Sequence, residues 1–121
     1  MVDCNEAIRI DPQSVGSYGN RGAVYGAIGE YEKAIADCTE AIRLDPKLIG
    51  AYLHRGLAYW QNGELDKAIA DLSEAIGLDP HDAETYGNRG YAYITKSDYD
   101  KGIADYTESI RLDPQFADAY A

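Results

Sequence analysis

Four prolines recur along the chain at one fixed interval. They are Pro12, Pro46, Pro80 and Pro114, each 34 residues after the one before, and an aspartate precedes every one of them. A fixed period of this size indicates stacked supersecondary units, because such a unit buries its apolar surface against its neighbours. The spacing therefore predicts an array of similar repeats.

The period divides the chain into three complete copies and two partial ones. The complete copies are predicted at residues 15–48, 49–82 and 83–116, and thirteen of their 34 columns carry the same residue in all three. A half-copy at residues 1–14 aligns with the second half of a unit, and a stub at residues 117–121 begins a further one. We expect these pieces to form a single domain.

Each copy has the pattern of two helices. In the second half of a copy, small and apolar residues recur at helical spacing with acidic residues on the other side, as in residues 34–44. The Asp-Pro pair then ends this helix, since the residue before proline avoids helical geometry. In the first half, Tyr52, Arg55, Gly56 and Tyr59 fall on one helical face, as do their counterparts in the other copies.

These residues resemble the tetratricopeptide repeat, whose pattern over 34 residues is W-x2-L-G-x2-Y, then A-x3-F, then P. The middle copy has the matching series Tyr52-x2-Arg55-Gly56-x2-Tyr59, then Ala68-x3-Leu72, then Pro80. In all three copies, tyrosine replaces the tryptophan of the pattern and arginine replaces its leucine. The resemblance covers essentially the whole chain.

The resemblance implies an all-α fold, a right-handed α-solenoid of antiparallel helix pairs. It also implies a concave groove, lined by the first helix of each pair, that holds a protein or peptide as an adaptor or scaffold does. One departure concerns the third copy, which has Gly102 where the others have Ala34 and Ala68. We expect this glycine to loosen the second helix of that copy by about 0.8–1 kcal/mol.

Comparison of the copies separates packing columns from columns that are free to contact a partner. At about 100° per residue, the columns of the first helix that vary cluster on one arc, more than a right angle from the fixed face. In the first copy this arc carries mostly glycine and alanine, so it presents almost no side-chain atoms. The candidate partner-binding residues on or beside this arc are Asn20, Ala23, Leu53, His54, Leu57, Trp60, Gln61, Glu84, Asn88, Tyr91, Ile94 and Thr95.

The centre of the predicted site is the single tryptophan, Trp60, which lies outside every fixed column. Exposed tryptophan and tyrosine are common anchors of protein interfaces. We therefore predict an apolar patch around Leu57, Trp60, Tyr91 and Ile94. The alternative is that Trp60 packs against a neighbouring helix and belongs to the core.

The invariant arginines Arg21, Arg55 and Arg89 belong to the packing face rather than to the groove. Because an unpaired buried charge is costly, we expect each of them to pair with an acid. The candidates are the invariant aspartates Asp37, Asp71 and Asp105, and distances beyond 5 Å would exclude the pairing. A subset of tetratricopeptide repeats clamps a peptide's terminal carboxylate with basic groove residues, but the predicted groove has no lysine, so we expect no such clamp.

No catalytic residue, cofactor or metal site is predicted. Cys4 and Cys38 lie one repeat apart, in a column that the other copies fill with bulky side chains, and are interpreted as buried packing thiols. His54 lies on the variable arc and His81 in a loop, without a second ligand at helical spacing. The sequence favours a binding protein over an enzyme.

The charge of the chain favours a protein partner. The formal net charge is -10, from 21 acidic and 11 basic residues. Such a field repels phosphate backbones and anionic lipids, so we expect neither nucleic acid nor a membrane as a partner. A basic or neutral protein fits better, although acidity that serves only solubility explains the charge equally well. With no signal peptide or membrane-spanning run, the cytoplasm is the default location.

The partial copies suggest a second function. Solenoids normally finish with a polar capping element, whereas the outer side of the last full helix is predicted to be apolar at Ile103, Tyr106 and Ile110. The terminal half-repeats would then stack head to tail or exchange between chains, which would make a homo-oligomer. Alternatively, the chain is a fragment of a longer array, and self-association follows from its open ends.

Overall fold

In the computed structural model, the described residues are 15–114, and they form six α-helices without a strand. The helices are α1 (Val15–Ala27), α2 (Tyr31–Leu44), α3 (Ile49–Gln61), α4 (Leu65–Leu78), α5 (Ala83–Thr95) and α6 (Tyr99–Leu112). The prediction of an all-α fold is confirmed. The predicted half-copy at 1–14 and stub at 117–121 lie outside the described residues.

The helices stack in pairs along one direction. Each helix packs against the next one in the chain, and α1 also contacts α3 across the repeat boundary. Because only a few residues join consecutive helices, neighbours run antiparallel. This is the predicted solenoid, with the first helices of successive repeats side by side.

An invariant glycine brings the two helices of each repeat together. A Cβ atom built on Gly22 would lie 2.9 Å from Sγ of Cys38, and one built on Gly56 would lie 3.3 Å from Cγ of Leu72. A side chain at Gly22 would clash with Cys38, and one at Gly56 would crowd Leu72 by a few tenths of an ångström. Cys38 is fully buried here, and burial raises the pKa of its thiol to about 11. Its packing role is confirmed, whereas Cys4 lies outside the described residues.

The turn inside each repeat requires a residue with positive φ. The angle is 85° at Gly29, 82° at Gly63 and 68° at Ser97. An L-residue in this conformation costs roughly 1–2 kcal/mol, which glycine avoids. The third turn therefore carries strain that the first two lack.

In every repeat, an arginine of the first helix pairs with an aspartate of the second. Arg55 donates from Nε and Nη2 to the two carboxylate oxygens of Asp71 at 2.8 and 2.7 Å. The same two-point geometry, at 2.7–2.8 Å, joins the other two pairs, Arg21–Asp37 and Arg89–Asp105. The predicted pairing is confirmed in all three repeats.

The same guanidinium also reaches the preceding repeat. Nη1 of Arg55 donates to Oγ1 of Thr39 at 3.2 Å, and Nη1 of Arg89 donates to Oγ of Ser73 at 3.1 Å. The hydrogen bonds to Asp71 raise the pKa of Arg55 above its ordinary value, so the side chain stays charged. One residue thus joins the helices of its own repeat and ties that repeat to its neighbour.

The outer side of α6 is partly as predicted. Ile103 is 59% exposed and Ile110 is 43% exposed. The isoleucines in the same columns of α2 and α4 are only partly exposed. The prediction was wrong for Tyr106, which is half-buried because it packs inward. Its Cδ1 would lie 3.2 Å from a Cβ on Gly90.

The ion pairs give a direct test of this fold. Asp71→Ala leaves the largely buried Arg55 guanidinium without its carboxylate, so we expect the free energy of unfolding to fall by about 2–4 kcal/mol. Urea unfolding followed by circular dichroism measures the change. As a control, Asp66→Ala removes an aspartate from a surface ion pair with Lys96 and should change the midpoint little.

A double variant separates the charge from the shape of the contact. Replacing Arg55 and Asp71 together by leucine removes both charges, so the stability should lie above that of Asp71→Ala. Equal stability of Asp71→Ala and the native chain would contradict the role assigned to the pair.

Candidate functional site

Three adjoining depressions open along the first helices, and Leu57 lines all of them. The first, of about 210 Å³, lies between α1 and α3. The second, of about 200 Å³, lies between α3 and α5, and the third, of about 250 Å³, lies between α3 and the start of α5. We call the surface formed by these three depressions the groove.

The first depression exists because α1 has small residues. Ala23 and Gly26 stand in the columns that Leu57 and Trp60 occupy one repeat later, and both line this depression. Without the larger side chains, the space beside Leu57 stays open. The bare arc expected for the first copy is therefore a depression large enough for an apolar side chain.

The second depression contains an aromatic pair. The rings of Trp60 and Tyr91 meet edge to face, with centroids 5.3 Å apart and planes at 80°. Tyr91 is 49% exposed, and Trp60 is half-buried at the edge of the depression. Trp60 is therefore neither enclosed in the core nor fully exposed. One polar residue, Asn88, completes the lining beside Leu57.

The third depression carries negative charge. Asp82 caps α5, because its Oδ1 accepts a hydrogen bond from the backbone N–H of Glu84 and its Oδ2 accepts one from Oγ1 of Thr85. Glu84 is exposed, and its carboxylate makes no ion pair with any residue in 15–114. No lysine or arginine lines any of the three depressions.

A polar rim borders the first depression. The hydroxyl of Tyr31, at the start of α2, donates to Oε1 of Gln61 at 2.5 Å. This bond fixes the end of α3 against the preceding repeat. His54 is exposed and lines both the first and the third depression.

Most of the predicted residues line the groove. Nine of them do so: Ala23, Leu53, His54, Leu57, Trp60, Gln61, Glu84, Asn88 and Tyr91. The structure places the other three, Asn20, Ile94 and Thr95, outside these depressions. Asn20 is exposed on α1, and Thr95 bonds through Oγ1 to the carbonyl oxygen of Tyr91.

Ile94 lies against α6 instead of in the apolar patch. A Cβ on Gly102 would lie 2.5 Å from its Cδ1 and 2.7 Å from its Cγ1. The glycine thus makes room for the isoleucine, whereas the equivalent Ala34 lies opposite Gly26, which has no side chain. The prediction that Gly102 loosens α6 did not take this contact with Ile94 into account.

Several lining residues were missed by the comparison of columns, among them Asp82 and Tyr31. Asp82 is the last residue of the middle copy and directly precedes the first helix of the third, in a column that varies between copies, so extending the comparison by one residue would have included it. Tyr31 lies on a second helix and was outside the comparison altogether. Its role depends on the position of α3 in the next repeat, which no single copy reveals.

A double-mutant cycle tests the packing of Ile94. We expect Gly102→Ala alone to lower the free energy of unfolding by about 1–3 kcal/mol, because the added methyl group overpacks against Ile94. In an Ile94→Ala background, the same change should cost markedly less, since only the backbone oxygen of Gly90, at 3.1 Å, stays close to the added methyl group and alanine is the better helix former. Urea titrations of the four proteins give both values, and equal effects in the two backgrounds would exclude the contact.

Within residues 15–114, no group of three or more His, Cys, Asp or Glu side chains is placed to hold a metal ion. None of the helices there has the length and apolar character needed to cross a membrane.

Comparison with known families agrees with the repeat geometry. Two tetratricopeptide repeat families match the chain, one over residues 16–48 and the other over residues 53–117. The chain belongs to the tetratricopeptide repeat family. The resemblance drawn from the tyrosine, arginine and glycine columns is thereby confirmed.

Solved structures of other tetratricopeptide repeat proteins superpose on this one. A crystal structure of MamA gives a TM-score of 0.87 at 27% identity and covers 95% of this chain and 67% of that one. MamA from Desulfovibrio magneticus RS-1 gives 0.87 at 23% identity, covering 93% and 63%. The first TPR of Spaghetti (RPAP3), bound to the HSP90 peptide SRMEEVD, gives 0.80 at 25% identity, covering 86% and 82%.

This tetratricopeptide repeat chain spans about two thirds of the length of the MamA chains that it matches. No curated protein sequence gives a significant match.

Proposed function

We propose that this chain is a protein-interaction module that binds a peptide or an extended protein segment in the groove. The observation that carries the proposal is the meeting of three depressions at Leu57, beside the accessible rings of Trp60 and Tyr91. Tetratricopeptide repeats are generally protein-interaction modules, which supports the same conclusion. The proposal assigns no reaction to the chain.

The dimensions of the groove suit an extended peptide. Neighbouring helix axes lie about 8–10 Å apart, so the groove crosses about 20 Å from α1 to α5. An extended chain advances about 3.3 Å per residue, which corresponds to about six residues. Burying one leucine or phenylalanine side chain in a depression stabilises a complex by about 1.5–3 kcal/mol.

A solved relative shows one occupant of such a fold. The first TPR of Spaghetti (RPAP3), 25% identical to this chain, holds the HSP90 peptide SRMEEVD. This supports peptide binding by the present chain. The sequence of that peptide is not carried over to the present chain, because the lining of the present groove includes acidic residues but no lysine or arginine.

Removal of the aromatic anchor tests the proposal. Peptides selected by the intact chain from a random dodecapeptide display library are measured by fluorescence anisotropy. We expect Trp60→Ala to weaken their binding tenfold or more, because a large apolar contact is lost at the centre of the groove. Tyr99→Ala is the matched control, since Tyr99 is 58% exposed on α6 and lines none of the three depressions.

Thermal unfolding of both variants accompanies the binding measurement, so that a folding defect is recognised. Unchanged affinity in a folded Trp60→Ala variant, or an equal loss in both variants, would contradict binding in the groove.

A second candidate function is self-association through the outer face of α6. The observation in its favour is the exposure of Ile103 and Ile110, at 59% and 43%. An assembly element of this kind should show a mass that rises with concentration in light scattering, and Ile110→Lys should lower it. A mass that stays monomeric at high concentration would exclude this candidate. A chain that only binds partners in the groove is expected to stay monomeric.

A further inference from the structure

We propose that the groove selects a segment in which lysine or arginine stands next to a bulky apolar residue. The apolar side chain fills the depression beside Trp60 and Tyr91, and the cation pairs with Glu84. This inference rests on the proposed function and adds the chemistry of the partner to it.

The charges that line the groove support this choice. Asp82 and Glu84 contribute two carboxylates to the third depression, and no lysine or arginine lines any of the three. The chain as a whole carries a formal charge of -10. A surface of this sign attracts cationic segments and slows the approach of anionic ones.

Glu84 is the carboxylate available to a partner. Both carboxylate oxygens of Asp82 accept hydrogen bonds at the start of α5, one from the backbone N–H of Glu84 and one from Thr85. Glu84 itself is exposed and has no ion pair among the residues that the structure describes. Glu64 and Glu108, by contrast, each pair with a basic residue three positions later in the chain.

The acidic and aromatic parts of the groove are neighbours. Leu57 and Asn88 line both the second and the third depression, so these two spaces share a wall. A peptide with adjacent apolar and basic residues reaches both at once. The rings of Trp60 and Tyr91 also favour a nearby cation, because their faces carry negative charge.

The same geometry disfavours acidic peptides. The HSP90 peptide SRMEEVD, which the first TPR of Spaghetti (RPAP3) binds, has an arginine beside a methionine, but its two glutamates and terminal aspartate give it a net negative charge. Next to Asp82 and Glu84 these groups would meet like charge. We therefore expect the present chain to reject that peptide.

The test uses the whole chain and the random dodecapeptide library. We expect the selected peptides to be enriched in lysine or arginine beside leucine, phenylalanine, isoleucine or tryptophan. Glu84→Gln should weaken a selected peptide five- to tenfold, and raising the salt concentration should weaken the native complex more than the variant complex. Glu74→Gln, which changes an exposed acid on α4 outside the groove, should have no effect.

The outcomes separate the two proposals. Selected peptides that are neutral or acidic, binding of SRMEEVD, or unchanged affinity in Glu84→Gln would overturn the charge preference. In those cases a loss of binding in Trp60→Ala still supports the proposal that peptides bind in the groove. If Trp60→Ala binds as the native chain does, both proposals fail. A selection that enriches no peptide, together with a mass that rises with concentration, identifies a second copy as the occupant and overturns both.

Discussion

The structure depends on one ion pair that recurs three times. Each pair holds the two helices of a repeat together, and at Arg55 and Arg89 the same guanidinium bonds to the preceding repeat. The invariant glycine lets the two helices approach closely, so the arginine and the aspartate lie within bonding distance. The aspartate side chains are only 7–8% exposed. Because the arginine–aspartate pair has the same geometry in every copy, it orients the first helices alike and leaves their opposite faces side by side.

That opposite face is where the copies differ, and the differences give the groove its shape and charge. Small residues in α1 open a depression beside Leu57, whereas the larger side chains of α3 and α5 supply the aromatic pair. Glu84, in a column that has glycine in the other copies, adds negative charge at one end. The fixed columns that pack and the variable columns that we propose for recognition are thus different columns of the same helix.

Much of this arrangement could be predicted from the sequence. The period located the helices, and the invariance of the arginine and aspartate columns predicted their pairing. The position of Ile94 could not be predicted, because it depends on which neighbouring helix offers space, whereas Tyr106 shares the packing column of Cys38 and Leu72. Gly102 provides the space for Ile94 through the absence of a side chain, and a comparison of columns treats each column alone.

The central claim is that partners contact the columns in which the copies differ. Mapping of backbone amide shifts by NMR, on the whole chain titrated with a library-selected peptide, tests it most directly. We expect the largest shift changes along the groove, near Leu57, Trp60 and Tyr91, with little change on the outer face of α6. Largest changes on the outer face of α6, near Ile103 and Ile110, would contradict it.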